Sequence, residues 1–139
     1  MNIEIAISIA LNAHKGQVDK GGAPYILHPL AVMNRVARMD EKIVAVLHDV
    51  VEDTEVTIDQ LREYGFSEDI IEAIQLLTRS EKDSYEEFII KTRGNSISKV
   101  VKIADIEENM NLSRIENPTD EDYKRLNKYK KALEVLKNK

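Results

Sequence analysis

Ile3, Ala6, Ile7, Ala10 and Leu11 recur at intervals of three and four, the spacing of one helix face, and predict a first helix over Ile3–Ala13. A stretch crowded with Gly16, Gly21, Gly22 and Pro24 follows and reads as a loop from 15 to 25. Pro29 suits a first helical turn, and Leu30, Met33 and Val36/Ala37 continue an apolar face behind it. Asp40 is the predicted N-cap of a third helix, from 41 to about 52, carrying Ile43, Val44, Val46, Leu47, Val50 and Val51. That helix is apolar most of the way round, so it is expected at the centre. Thr57 is placed to cap a short helix ended by Gly65, and Ser67 to cap the next, through Ile70, Ile71, Ile74 and Leu77. Ser84 with Glu87, and Thr119 with Asp122, fit capping boxes. A helix from 96 to about 112 carries Ile97, Val100, Val101, Ile103 and Ala104, and a last one from about 120 to 136 carries Tyr123, Leu126 and Leu133. No segment alternates as a half-buried strand does. The prediction is an all-α fold of about eight helices in a single domain spanning 1–139.

Composition narrows the chemistry. The 139 residues are 42% hydrophobic and 32% charged, an ordinary globular balance. There is no cysteine, which removes thiolate metal sites, disulfides and cysteine nucleophiles and suits a reducing cytoplasm. No apolar run approaches the roughly 20 residues of a membrane span, and the N-terminal stretch lacks a basic leader, so neither membrane nor secretion is expected. With a net charge of −5 and no basic stripe, duplex nucleic acid is a poor candidate partner. A phosphorylated small molecule would need a local positive centre. Apolar residues on the first and last helices suit self-association into a homo-oligomer as well as they suit core packing.

The third helix holds polar residues where polarity is costly. His48-Asp49 interrupts its apolar run, and Glu52-Asp53 follows. On one helix, His48 with Glu52 and Asp49 with Asp53 stand four apart and share a face. Burying carboxylates is expensive unless they are paired or bound to a cation, and a helix C-terminus disfavours negative charge further. A divalent metal answers both problems. His28, between Leu27 and Pro29, and Asp105, alone in the apolar run Val100–Asp105, complete a set of two imidazoles and two carboxylates. Such a set suits Mn²⁺, Fe²⁺, Co²⁺ or Zn²⁺. The plainer readings are a hydrogen-bonded structural role for His14, a solvated helix end at Glu52-Asp53, and a wet helix face at Glu107-Glu108.

The ordered segments His14-Lys15-Gly16-Gln17, Pro24-Tyr25-Ile26-Leu27-His28-Pro29, Leu47-His48-Asp49-Val50-Val51-Glu52-Asp53-Thr54, Lys102-Ile103-Ala104-Asp105 and Asn109-Met110 resemble the hydrolase domain of the RelA/SpoT family. These are HD-superfamily helical domains that remove the 3′-pyrophosphate from guanosine tetra- and pentaphosphate, the alarmones of the stringent response. The resemblance covers about residues 3 to 115. It implies that His28, His48, Asp49 and Asp105 bind a metal, usually Mn²⁺. It implies further that Glu52 and Asp53 orient or deprotonate the attacking water, and that Lys20, Tyr25 and Asn109 meet the nucleotide. It also implies a stand-alone hydrolase, since the chain has no room for the synthetase and regulatory domains of the long enzymes.

One position departs from the family. Asp19 stands where the long enzymes carry an arginine that packs on the guanine, and a carboxylate cannot stack as a guanidinium does. Both guanosine and adenosine alarmones therefore remain candidate substrates. Lys102 and Arg114 are further candidates to offset phosphate charge, set against the commoner role of a solvated surface cation. The segment from 78 to 96 matches poorly. Two rival readings share the fold: hydrolysis of another phosphorylated nucleotide such as nicotinamide dinucleotide phosphate, and a non-catalytic module that senses an alarmone or neutralises a synthetase.

Overall fold

Two residues in the middle of the chain split what the sequence presents as one helix. In the computed structural model, which describes residues 2–110 and 117–138, the helices among the described residues are α1 (Ile3–Ala13), α2 (Leu27–Asn34), α3 (Met39–Leu47), α4 (Val50–Asp53), α5 (Ile58–Glu63), α6 (Glu68–Leu77), α7 (Tyr85–Arg93), α8 (Ser96–Asn109) and α9 (Asp120–Lys137). The fold is all-α. The expected third helix is α3 plus α4, broken at His48-Asp49. His48 Nδ1 donates to the Ala45 carbonyl, the acceptor that a continuing helix would offer to the Asp49 N–H.

The local signals act as expected at most helix starts. The Asn2 side chain accepts from the Ile5 N–H, and Thr57, Ser67, Ser84 and Thr119 each accept from an N–H in the first turn they cap. Asp40 is the exception. It lies inside the first turn of α3, and the Glu41 carboxylate takes the Arg38 N–H instead. The expected end of α8, at 112, lies outside the described residues.

α3 is the hub. Ile43, Val44, Ala45, Val46 and Leu47 are all buried, and α1, α2, α6 and α8 pack around them. A contact at every side of one helix is what an apolar run without a polar face demands. Most of the apolar interior forms one cluster around α3 that includes Val101 and Ala104 of α8. A smaller cluster of Phe88, Ile89, Ile106, Ala132 and Leu136 joins α7, α8 and α9. Asp105 sits between Ala104 of the first cluster and Ile106 of the second. No helix of the described residues is long and apolar enough to cross a membrane.

The loop before α2 closes on itself. Asp19 Oδ1 accepts from the N–H groups of Gly21 and Ala23, at 2.9 and 3.0 Å, and the Asp19 N–H donates to the Ala23 carbonyl. The turn requires φ +85° at Gly22, where any side chain would be strained. This fixes the direction in which the chain enters Tyr25 and His28.

Candidate metal centre

The break after α3 is where the chemistry gathers. His48 and Asp49 form the joint between α3 and α4, His28 lies in the first turn of α2, and Asp105 lies in the last two turns of α8. Each offers one ligand atom, and the four atoms all lie within 4.8 Å of one another. His28 Nε2 is 2.7 Å from Asp105 Oδ1, and His48 Nε2 is 3.2 Å from the same oxygen and 3.1 Å from Asp49 Oδ2.

The donor set fits a cation. Because Ala45 O can only accept, His48 carries its proton on Nδ1. In the neutral ring, Nε2 then points a lone pair at two carboxylate oxygens, an arrangement that needs a proton or a metal between the atoms. The field says the same. Burial works against a charged His48, yet Asp49 and Asp105 hold its pKa well above 6.5. Burial pushes the Asp105 carboxyl up, but Lys102 and His48 outweigh it and leave the group well below the carboxylate range. Burial likewise raises Asp49, and the adjacent His48 brings it back below its ordinary value.

Further groups hold the ligands in place. The Tyr25 hydroxyl donates to Asp49 Oδ2. Burial, then the Asp49 charge, push that phenol far above its ordinary pKa, so it stays a donor. The Tyr25 ring lies 5.0 Å from His14 and 5.7 Å from His28. His14 is buried and its Nδ1 meets Gln17 Oε1 at 2.8 Å, the structural role expected for it. Gln17 Nε2 donates in turn to the Asp53 carbonyl at 3.3 Å. Asp105 divides its oxygens. Oδ1 faces both imidazoles and accepts from Asn109 Nδ2 at 3.3 Å, while Oδ2 takes the Lys102 ammonium at 2.9 Å.

The other sequence candidates fall in different places. Glu52 and Asp53 form the end of α4, both exposed beside the cluster. Glu52 Oε1 accepts the Arg79 backbone N–H at 2.7 Å. Burial, then the charges of Asp49 and Glu52, raise the Asp53 carboxyl. Lys20 is turned to Asp122 Oδ1, 3.5 Å away, and so links the first loop to α9. Asp19 is occupied by its own loop. Arg114 lies outside the described residues. Lys102 is the residue the sequence undersells: an ammonium three before Asp105 reads as a surface cation, yet its side chain is 14% exposed and its Nζ lies 5.1 Å from the Phe88 ring centroid. Glu107 and Glu108 make surface ion pairs with Lys137 and Arg35, at 3.4 and 2.7 Å.

The family model described as HD domain matches residues 6–133. The guanosine-3′,5′-bis(diphosphate) 3′-pyrophosphohydrolase of Haemophilus influenzae is 34% identical over 116 residues, 73% of this chain and 17% of the relative. The GTP pyrophosphokinase of Streptomyces coelicolor is 33% identical over 147 residues, 96% of this chain and 16% of the relative. The chain thus spans less than a fifth of the length of these curated relatives. A solved structure described as a metazoan ortholog of SpoT that hydrolyzes ppGpp superposes with a TM-score of 0.78 at 21% identity, covering 97% of this chain and 85% of that one.

Proposed function

The chain belongs to the HD-domain family, and from that premise we propose that it is a Mn²⁺-dependent hydrolase, working in the cytoplasm, that removes the 3′-pyrophosphate from guanosine alarmones or their adenosine counterparts. The observation that supports this reading best is the convergence of His28, His48, Asp49 and Asp105 from three separate stretches of chain, with two acids at its edge. Relatives whose names specify removal of a 3′-pyrophosphate point to the substrate class.

In this reading His28, His48, Asp49 and Asp105 hold the cation. A divalent metal bound there supplies Lewis-acid polarisation of a phosphoryl oxygen and lowers the pKa of water. The chain's own residues do the rest. Glu52, with one oxygen engaged by the Arg79 N–H, orients the attacking water through the other. Asp53 takes the water's proton, and burial with the charges of Asp49 and Glu52 raises its carboxyl in the direction a general base needs. The water oxygen ends on the first phosphorus, the bond from that phosphorus to the 3′ oxygen breaks, and the 3′ oxygen regains a proton as pyrophosphate leaves. Tyr25 keeps Asp49 in place through its hydroxyl, and Asn109 reaches the nucleotide from the exposed end of α8 while steadying Asp105. Lys20, 57% exposed, swings from Asp122 to phosphate.

The test is an assay with Mn²⁺ on guanosine and adenosine 3′-pyrophosphate substrates, following both pyrophosphate and orthophosphate. Pyrophosphate release, abolished by chelation, supports the reading. Orthophosphate release from nicotinamide dinucleotide phosphate alone, or full activity in metal-stripped protein, would sink it. Since Asp19 is engaged within its own loop, its replacement by asparagine is expected to leave the purine preference unchanged.

A further inference from the structure

The segment His14-Lys15-Gly16-Gln17 takes no part in the proposed chemistry, yet its last residue joins three parts of the fold. The Gln17 N–H donates to the His14 carbonyl at 2.9 Å, at the end of α1, and the Gln17 carbonyl accepts from the Tyr25 N–H at 2.8 Å. With both backbone groups engaged, the side chain is aimed. Its Nε2 reaches the Asp53 carbonyl, 36 positions along the chain, at 3.3 Å, and its Oε1 meets His14 Nδ1 at 2.8 Å. A carbonyl can only accept, so the amide turns its NH₂ group to Asp53 and leaves Oε1 to take the proton of His14 Nδ1. The donors thus run one way, from His14 through Gln17 to the end of α4.

α4 needs such a hold. It is one turn, Val50–Asp53, closed by the Asp53 N–H to the Asp49 carbonyl at 2.9 Å and the Thr54 N–H to the Val50 carbonyl at 3.1 Å. A lone turn fixes several dihedrals for few bonds and does not stand by itself. The carbonyls at its end also have no partner within the helix. Gln17 supplies one for Asp53. The Asp53 carboxylate makes no hydrogen bond or ion pair among the described residues, so its direction follows from the backbone that carries it. Glu52 differs, since its carboxylate is tied directly to the Arg79 N–H.

His14 is the anchor of this bracket. Its ring is buried against Tyr25, and its Nε2 has no hydrogen-bond partner among the described residues. A buried polar atom left so costs about 1–3 kcal/mol. An apolar ring would fill the place without that cost, but it would offer Gln17 no donor. The imidazole is there for Nδ1.

We propose that Gln17, braced by His14, is a positioning residue for hydrolysis: it fixes the Asp53 main chain and so the direction in which the Asp53 carboxylate meets the attacking water. The inference rests on the reading of Asp53 as the proton acceptor and deepens it. Neither Gln17 nor His14 belongs to the ligand cluster, so their loss acts on the rate rather than on the ion.

The experiment is a double-mutant cycle of Gln17→Leu and Asp53→Asn on guanosine 3′,5′-bis(diphosphate) in saturating Mn²⁺, at a temperature where circular dichroism shows every variant folded. Gln17→Leu alone is expected to lower kcat about 10- to 100-fold, with KM within about twofold. Added to Asp53→Asn, it should cost no more than about twofold further, because the group it aims is gone. Gln17→Glu keeps an acceptor for His14 but has no N–H for Asp53, and should lose as much kcat as Gln17→Leu. Losses that multiply in the double variant, a change in KM in place of kcat, or a Gln17→Glu protein as active as wild type would each overturn the proposal. If wild type turns over no substrate, the hydrolase reading fails. In that case, or where Asp53→Asn leaves no measurable rate, deuterium exchange decides the bracket. Asp53 and Thr54 amides that exchange at least about tenfold faster in Gln17→Leu than in wild type support it; equal rates overturn it.

Discussion

Asp49 and Asp105 occupy the same proposed role, yet their removal should not cost the protein the same. Asp105 is 4% exposed and is the only carboxylate paired with Lys102 among the described residues. Asp105→Ala strands a nearly enclosed ammonium, a loss of about 3–5 kcal/mol. Asp49 is half-buried and gives up contacts with Tyr25 and His48, so Asp49→Ala should cost about 1–2 kcal/mol. Urea denaturation of the metal-free proteins checks the difference, and both variants should lack turnover in Mn²⁺. Asp53 behaves in the opposite sense. Its carboxyl is raised, so the native state binds a proton more readily than the unfolded chain does. Stability therefore declines as pH climbs from the unfolded carboxylate value, about 3.9, through the raised native one. Asp53→Asn removes that penalty. At pH 7 the variant should be slightly more stable, by about 0.5 kcal/mol or less for so exposed a group. It should also be at least about a hundredfold slower. Equal or lower stability of the variant at pH 7, or a wild type that does not close the gap as pH falls toward the unfolded carboxylate value, would contradict this.

At the scale of the helices, the sequence was readable wherever the cause is local. Thr57, Ser67, Ser84 and Thr119 cap helices through first-turn N–H groups a few residues away, and such spacing is visible in a string of letters. Ser84 also sets the start of α7 directly before Tyr85, so Ser84→Ala is expected to cost about 1 kcal/mol in thermal denaturation. The break at His48-Asp49 was not readable. Its cause is a ring nitrogen turned back onto Ala45 and a carboxylate drawn to Tyr25, contacts that apolar periodicity does not register. Lys102 was misjudged for a related reason. Its spacing to Asp105 is local, but its burial depends on Phe88 from another helix. The four candidate metal positions could be picked out because carboxylates and imidazoles in apolar runs demand an explanation, and the structure brings them together. Glu52 and Asp53 were visible too, though the tie from Glu52 to Arg79 crosses 27 positions and leaves no pattern.

For the molecule as a whole, the ligand set spans α2, the α3–α4 joint and α8, so a bound cation should brace the fold as well as the chemistry. Mn²⁺ at a hundred times its Kd would add about 2.7 kcal/mol to the stability of the native state. Thermal denaturation with and without chelator should show a rise in Tm of about 9 °C, and Asp105→Ala should abolish the rise. The interior, meanwhile, is in two parts, with α8 as the partition between them. α9 rests mainly on α7 and α8 and shares little with the hub helix. Its amides should accordingly exchange with deuterium well before those of α3, as a unit that loosens while the rest stays folded. Lys128 would travel with it, and His28, His48 and Asp49 would not. The C-terminal helix would thus come loose and re-dock while the candidate metal-binding side chains stay in register.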